Sequence, residues 1–252
     1  MLSDQLKQIR SQNRISSRTV LNYLFHDFVA IHGDRVLGDD AALTGGVALF
    51  NDQPVTVLAV NRGHNAVQRQ HFNGGMVSVS GYCKALRLIK AAQRFNRPVI
   101  SLIDMPGADA SAYSEHHGQS QAIAEMLAEM GELSSPNMAI FLGEGHSGGA
   151  LAFANTNRII MLENALFSVA SPEAVAAIVN TDTDINEYLP MTATALKRIG
   201  LVDDVVREGP KVLENIERAV AKQLSALNQL NEQELINQRQ KKYLKVLEAG
   251  RE

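Results

Sequence analysis

The chain has 252 residues, 45% of them hydrophobic, with 18 glycines and 7 prolines, which is enough apolar material for one full core without repeats or low-complexity tracts. A formal net charge of −3 excludes nucleic-acid binding by bulk electrostatics, so any basic patch has to be local. A single cysteine, Cys83, excludes an intrachain disulfide framework and a cysteine-rich zinc site built by this chain alone, and the first residues lack the apolar core of a signal peptide. With no run near the roughly 20 apolar residues of a membrane span, a soluble cytoplasmic protein is expected.

In chain order, Val20, Leu21, Leu24, Phe25 and Phe28 recur at helical spacing and predict a helix from Ser17 to Ile31, ended by His32-Gly33-Asp34-Arg35. Strands at Gly46 to Phe50 and Pro54 to Val60, joined by Asn51-Asp52-Gln53, read as a hairpin. After a polar stretch from Asn61 to Ser80, a helix from Gly81 to Phe95 is expected to bury Tyr82, Ala85, Leu86, Ile89, Ala92 and Phe95. The run from Pro98 to Ile103 is apolar on both faces, as in a buried strand, and breaks into Asp104-Met105-Pro106-Gly107-Ala108. A helix from Gln119 to Gly131 follows, then a strand from Asn137 to Leu142, a helix from Gly148, and strands at Arg158 to Leu162 and Ala165 to Val169.

This alternation argues for parallel strands with right-handed crossovers, which places the loops at Asp104 to Ala108 and Gly143 to Gly149 on one edge. Ser171-Pro172-Glu173 opens a further helix with Pro at its first position, and beyond it the chain reads as helical for most of its length. The polar, amphipathic tail from Lys211 to Leu247 can pack on the core or on another subunit, or stand as a solvated surface helix pair, which is the reading preferred here.

The most informative stretch is Gly143-Glu144-Gly145-His146-Ser147-Gly148-Gly149-Ala150, a glycine-rich turn between a strand and a helix N-terminus. Such a turn can serve packing alone, or it can present free backbone N–H groups to an anion or to an oxygen that becomes anionic. It lacks the Gly-Lys-Ser/Thr of a P-loop, whereas Gly145-His146-Ser147-Gly148-Gly149 has the spacing of a nucleophile elbow. A triad of Ser147 with His116 or His117 and Asp104 therefore stays open, against a turn better shaped to offer amides than to aim a hydroxyl. Glu115-His116-His117 does not make a metal site, since adjacent histidines on an extended loop do not share a face. Asp104 and Glu144 read as loop-stiffening acceptors, and Cys83 as a packing residue.

Taken together, His32-Gly33-Asp34-Arg35, Gly81-Tyr82-Cys83-Lys84-Ala85-Leu86-Arg87-Leu88, Ile103-Asp104-Met105-Pro106-Gly107-Ala108, Gly118-Gln119-Ser120-Gln121-Ala122-Ile123-Ala124, Gly143 to Leu151 and Ser168-Val169-Ala170-Ser171-Pro172-Glu173 resemble the carboxyltransferase alpha subunit of bacterial acetyl-CoA carboxylase. The matches keep family order and cover most of the chain. The resemblance implies an α/β, crotonase-type superhelix of ββα units in one carboxyltransferase domain over residues 1–252. Within it, 1–35 would be an N-terminal helical segment, 36–205 the core and 206–252 a helical tail.

The activity implied is transfer of the carboxyl group from carboxybiotin, on a biotin carboxyl carrier protein, to acetyl-CoA, giving malonyl-CoA for fatty acid synthesis. The implied partners are a zinc-containing beta subunit, in an alpha2-beta2 assembly with the active site between subunits, and biotin carboxylase; no metal would sit on this chain. By the motif match Gly148 and Gly149 would hold the biotin ureido oxygen, with Gly107, Ala108, His146 and Ser147 lining the substrate site. The deprotonated biotin nitrogen would act as the base toward the acetyl methyl group.

This sequence departs from the family pattern in three places. His146 stands where a glycine is common, which implies either a loop histidine in an unusual backbone conformation or a crowded, retuned biotin pocket. The Gly-Ala-Tyr-Pro-Gly loop is Gly107-Ala108-Asp109-Ala110-Ser111, and the basic Arg-Asn-Phe-Gly-Met region is Gln70-His71-Phe72-Asn73-Gly74-Gly75-Met76. The competing readings are a divergent paralogue that uses another acyl-CoA or only assembles, and a stand-alone crotonase-type hydratase or hydrolase.

Overall fold

The hairpin Leu43–Phe50 (β2) and Gln53–Val60 (β3) starts the architecture of the computed structural model, which describes residues 2–179 and 189–249. Its turn is Asn51-Asp52 alone, with φ of 46° and 62°. Two left-handed residues make the type I′ turn whose twist matches the flanking strands, and Asn and Asp tolerate that region.

The helix expected over Ser17 to Ile31 is shorter. It runs over Ser17–Leu24 (α2; α1 is Leu2–Ile9), capped by Ser16, which accepts from the Thr19 N–H at 3.0 Å. Phe25 is already extended, and His26–Ala30 forms a strand (β1) antiparallel to β2, with a bulge near Asp27 at φ 50°. Phe28 kept the helical spacing by coincidence. What overrides it is an edge offered by β2, where a Cβ on Gly46 would lie 2.3 Å from the Val29 carbonyl oxygen.

From β3 the sheet turns parallel, through Val99–Met105 (β4), Asn137–His146 (β5), Arg158–Leu162 (β6) and Asp204–Val206 (β8), in the order β1-β2-β3-β4-β5-β6-β8. Every residue of β4 and β5 is buried, which is why both are mostly apolar in their first halves, apart from Ser101 and Asn137. β5 serves two neighbours on one side. Met138 to Phe141 pair with β6, whereas Glu144 to His146 pair with the short strand Leu166–Ser168 (β7). The expected turn at Gly143 to His146 is therefore strand, and the chain reverses only at Ser147.

Helices cover the sheet: Ala66–His71 (α3), Val79–Arg94 (α4), Ala112–His116 (α5), Gln119–Glu132 (α6) and Ser147–Ala154 (α7). In α4, Tyr82, Ala85, Leu86, Ile89 and Ala92 are buried as expected, but Phe95 is 64% exposed. It is the residue after the helix end, just before Asn96 at φ 49°, and its ring lies under Arg97 instead of in the core. Pro172–Val179 (α8) starts where Ser171-Pro172-Glu173 predicts, with Ser171 Oγ accepting from the Ala174 N–H at 3.2 Å. Residues 180–188 of that expected helical region lie outside the described residues. Ala193–Arg198 (α9), Val212–Leu227 (α10) and Glu232–Ala249 (α11) complete the chain, and β8 between α9 and α10 was not expected.

Of the readings open for the tail, the structure takes packing on the core, and the preferred solvated one fails. Arg239 of α11 is 1% exposed and donates to the carbonyls of Gly131 (3.1 Å) and Leu133 (2.6 Å) and to the side-chain oxygens of Asn137 (3.0 Å) and Asn157 (2.8 Å). Tyr243 donates to the Ala154 carbonyl at 2.6 Å, at the end of α7. Burial pushes the Arg239 guanidinium down to about 10, still charged at neutral pH. Arg239→Met would take the donor from the Gly131 and Leu133 carbonyls and from Asn157 Oδ1, while Asn137 Oδ1 keeps the Asn157 N–H at 2.8 Å, and a loss of roughly 2–4 kcal/mol is expected. Urea unfolding followed by circular dichroism would read it.

Candidate active site

Two adjacent parallel strands end side by side at the top of the sheet. β4 runs into Pro106-Gly107-Ala108 and β5 runs into α7 at Ser147, so the two loops expected on one edge meet there. A Cβ placed on Gly149 would lie 2.9 Å from both the N and the Cβ of Ala108. Gly149 is glycine because the loops touch. Gly148 is different, since the nearest atom to a Cβ there is Ile123 Cγ2 at 3.9 Å.

Ser147 has φ 64°, is exposed, and turns the chain from strand to helix within one residue. That is the backbone of a nucleophile elbow, yet among the described residues nothing hydrogen-bonds to its Oγ. The proposed partners are engaged elsewhere: Asp104 is held by arginines, and His117 Nδ1 bonds to the Tyr113 carbonyl at 2.7 Å with its ring stacked on Tyr113. The structure does not assemble the triad. What it leaves open is main chain, because no side chain caps the α7 N-terminus and its first-turn amides lack partners within the helix.

Below the turn lies a buried ion network that the sequence did not reveal. Glu144, with no exposed side-chain surface, accepts from Arg10 Nη2 at 2.6 Å and Arg10 Nε at 3.1 Å, and from Arg62. Asp104 accepts from Arg14 Nε at 2.9 Å, Arg62 Nη1 at 3.1 Å and the Glu144 N–H at 3.3 Å. These carboxylates are thus ion-paired, beyond the loop-stiffening acceptors expected. Asp104 also fills an irregularity where β5 carries extra residues against β4, and a Cβ on Gly143 would meet its Oδ1 at 2.5 Å. Arg10 reaches on to Glu173 at the start of α8, at 2.5 Å. A signal existed in the sequence, in two arginines four residues apart near the N-terminus and one two residues beyond a buried strand, but no local pattern named their partners.

His146 is extended, at φ −128° and ψ 150°, and 1% exposed. The reading of a histidine tolerating an unusual backbone is therefore overturned, and the strained residue is Ser147. His146 Nδ1 lies 2.9 Å from Ser168 Oγ, whose hydroxyl also reaches the Ala170 carbonyl, while Nε2 lies 3.4 Å from Glu144 Oε1. The ring ties the end of β7 to the network beneath the turn.

Burial by itself raises the Glu144 carboxyl, but the His146 and Arg10 hydrogen bonds and the Arg62 and Arg10 charges outweigh it and hold it well below the usual carboxylate range. In acid the unfolded chain then binds a proton that the folded chain refuses, so this stabilisation is complete above the ordinary glutamate range and fades as pH falls through the lowered value. Glu144→Gln is expected to flatten the rise in stability between about pH 3 and pH 5. Thermal midpoints measured across that range would show it.

Beside the turn an apolar groove of about 770 Å³ is lined by Ser147, Gly148, Phe167, Val169, Leu196 and Tyr243, among others. The groove is largely apolar, with the uncapped start of α7 forming part of its wall. Among the described residues, no group of three His, Cys, Asp or Glu side chains is placed to hold a metal, and no helix is long and apolar enough to cross a membrane. Cys83 sits half-buried on α4, its thiol raised chiefly by burial.

A family model described as acetyl co-enzyme A carboxylase carboxyltransferase-like matches residues 2–247. The acetyl-coenzyme A carboxylase carboxyl transferase subunit alpha of Staphylococcus carnosus is 39% identical over 96% of this chain and 81% of its own length. That of Listeria welshimeri is 41% identical over 96% and 80%. Among solved structures, transcarboxylase 12S matches with a TM-score of 0.73 and 21% identity over 90% of this chain and 43% of that one. A Pseudomonas malonate decarboxylase hetero-dimer matches at 0.65 and 18%, over 81% and 85%. These structural matches show the crotonase-type fold.

Proposed function

The chain belongs to the acetyl-CoA carboxylase carboxyltransferase family as an alpha subunit, and on that premise we propose how its own atoms serve the reaction. The family's reaction moves the carboxyl group of carboxybiotin to acetyl-CoA, giving malonyl-CoA for fatty acid synthesis, and requires a beta subunit. A cytoplasmic alpha2-beta2 assembly, with the zinc on beta and with biotin carboxyl carrier protein and biotin carboxylase as further partners, completes the proposal.

The uncapped N-terminus of α7 carries the assignment of roles. Amides of Gly148 and Gly149 hold the ureido oxygen of biotin as charge develops on it, and the Ala108 amide, packed against Gly149, adds a donor from the neighbouring loop. Gly107, at φ 148°, lets that loop turn away from the sheet. Bound carboxybiotin supplies the carboxyl group and the basic nitrogen, so no acidic side chain of this chain needs to move a proton. Asp104 and Glu144 instead keep the two strand ends at a fixed separation. His146 and Ser168 hold the wall of the groove in which the apolar part of the biotin ring rests, and Ser147 sets the direction of α7.

The steric contrast between the paired glycines supplies the test. In the complex with beta, carrier and acetyl-CoA, Gly149→Ala is expected to lower malonyl-CoA formation by about 100-fold or more, because displacing Ala108 spoils the donor geometry. Gly148→Ala is expected to stay within about 10-fold of the unmodified chain, as its Cβ meets ordinary contacts. Full activity in the Gly149 variant would refute the assignment. Ser147→Ala should retain transfer, whereas an isolated chain whose hydrolysis depends on Ser147 would favour the elbow.

A further inference from the structure

Tyr82 of α4 is fully buried, and its hydroxyl has no hydrogen-bond partner among the described residues. The nearby carboxylate of Asp40 is already engaged, by the Ser78 N–H at 2.7 Å, Ser78 Oγ at 2.9 Å and the Ala42 N–H at 2.8 Å. A buried hydroxyl without an acceptor is uncommon, because it forfeits the hydrogen bond that water supplies in the unfolded chain.

Its position is specific. Tyr82 Oη lies 2.7 Å from the point where a Cβ on Gly149 would sit, and Ala108 N lies 2.9 Å from that same point. The Ala108 amide stands outside the neighbouring backbone bridge, in which the Asp109 N–H donates to the Val77 carbonyl at 2.9 Å. Two donors, a phenol and an amide, thus converge beside the first turn of α7. The phenol ring is fixed from behind by Phe153 of the same helix, with ring centroids 5.4 Å apart. Burial, and secondarily the charge of Asp40, holds the phenol well above its ordinary range, so it stays protonated.

We propose that Tyr82 is a further donor of the anion cradle, whose hydroxyl bonds to the ligand oxygen held by the amides of Ala108, Gly148 and Gly149. The proposal rests on the carboxyltransferase reading of that cradle. The acceptor missing in the free chain would be supplied by the ligand oxygen held beside Ala108 and Gly149.

Tyr82→Phe separates this role from a structural one because the two predict different signs. The variant keeps the ring and its contact with Phe153 and removes only the orphan hydroxyl. In the alpha–beta complex, transfer to acetyl-CoA is expected to fall by about 10-fold or more in kcat, as for loss of one oxyanion donor. KM for acetyl-CoA should not change, and the unfolding midpoint should hold or rise.

An unchanged kcat, or a lowered midpoint that reveals a structural partner, would overturn the proposal. Calorimetric titration of free biotin into both complexes reads the same contact without turnover. Weaker binding by Tyr82→Phe supports the donor, and equal binding or none to either complex counts against it. A wild-type complex that makes no malonyl-CoA yet binds biotin through Tyr82 would instead overturn the assigned reaction alone.

Discussion

Everything at the top of the sheet depends on two carboxylates that sit out of water at the ends of neighbouring parallel strands. Asp104 closes β4 and Glu144 lies near the end of β5, and like charges this close would push the strands apart if left unpaired. Arg62 spans both, Arg14 completes Asp104 and Arg10 completes Glu144. Breaking one buried ion pair is far more costly than never having built it, so the five side chains act as one rigid unit. The turn above them inherits that rigidity.

Rigidity is what a cradle of amides needs. Backbone donors contribute most when they are already aimed at the place where charge appears and do not have to reorganise. Here the aim is set by a left-handed serine, an uncapped helix start, and glycines at positions where a methyl group would strike Asp104, Phe141 or Ala108. In the proposed assignment the chemistry resides in main chain, and the side chains beneath it are structural charge. This accounts for a site without a histidine base, a nucleophile or a metal cluster among the described residues.

Much of this was legible in the sequence, and the reasons are local. The Asn51-Asp52 turn, the buried runs that open β4 and β5 and the Pro at the start of α8 are each determined by a few neighbouring residues. Failures came where a distant element decided. The spacing of Phe25 and Phe28 reads as helix until β2 offers an edge, with Gly46 giving room for β1 to approach. Phe95 completes a helical face on paper but falls one residue beyond the helix. The polar tail looked solvated because its buried anchor, Arg239, resembles any surface arginine until Asn137 and Asn157 come round to meet it.

By itself the sequence determined the family and the kind of fold, and it singled out the glycine-rich stretch to which the chemistry is assigned, because ordered motifs and hydrophobic period are properties of the chain taken a few residues at a time. Only the tertiary structure decided that Ser147 turns the chain without a base, that His146 is a tie and not a strained loop residue, and that Arg10, Arg14 and Arg62 meet Asp104 and Glu144. It also brought the Tyr82 hydroxyl to Gly149, over 60 residues away in the chain. Such contacts join residues of large sequence separation, and their energies depend on burial and direction, which no local pattern encodes.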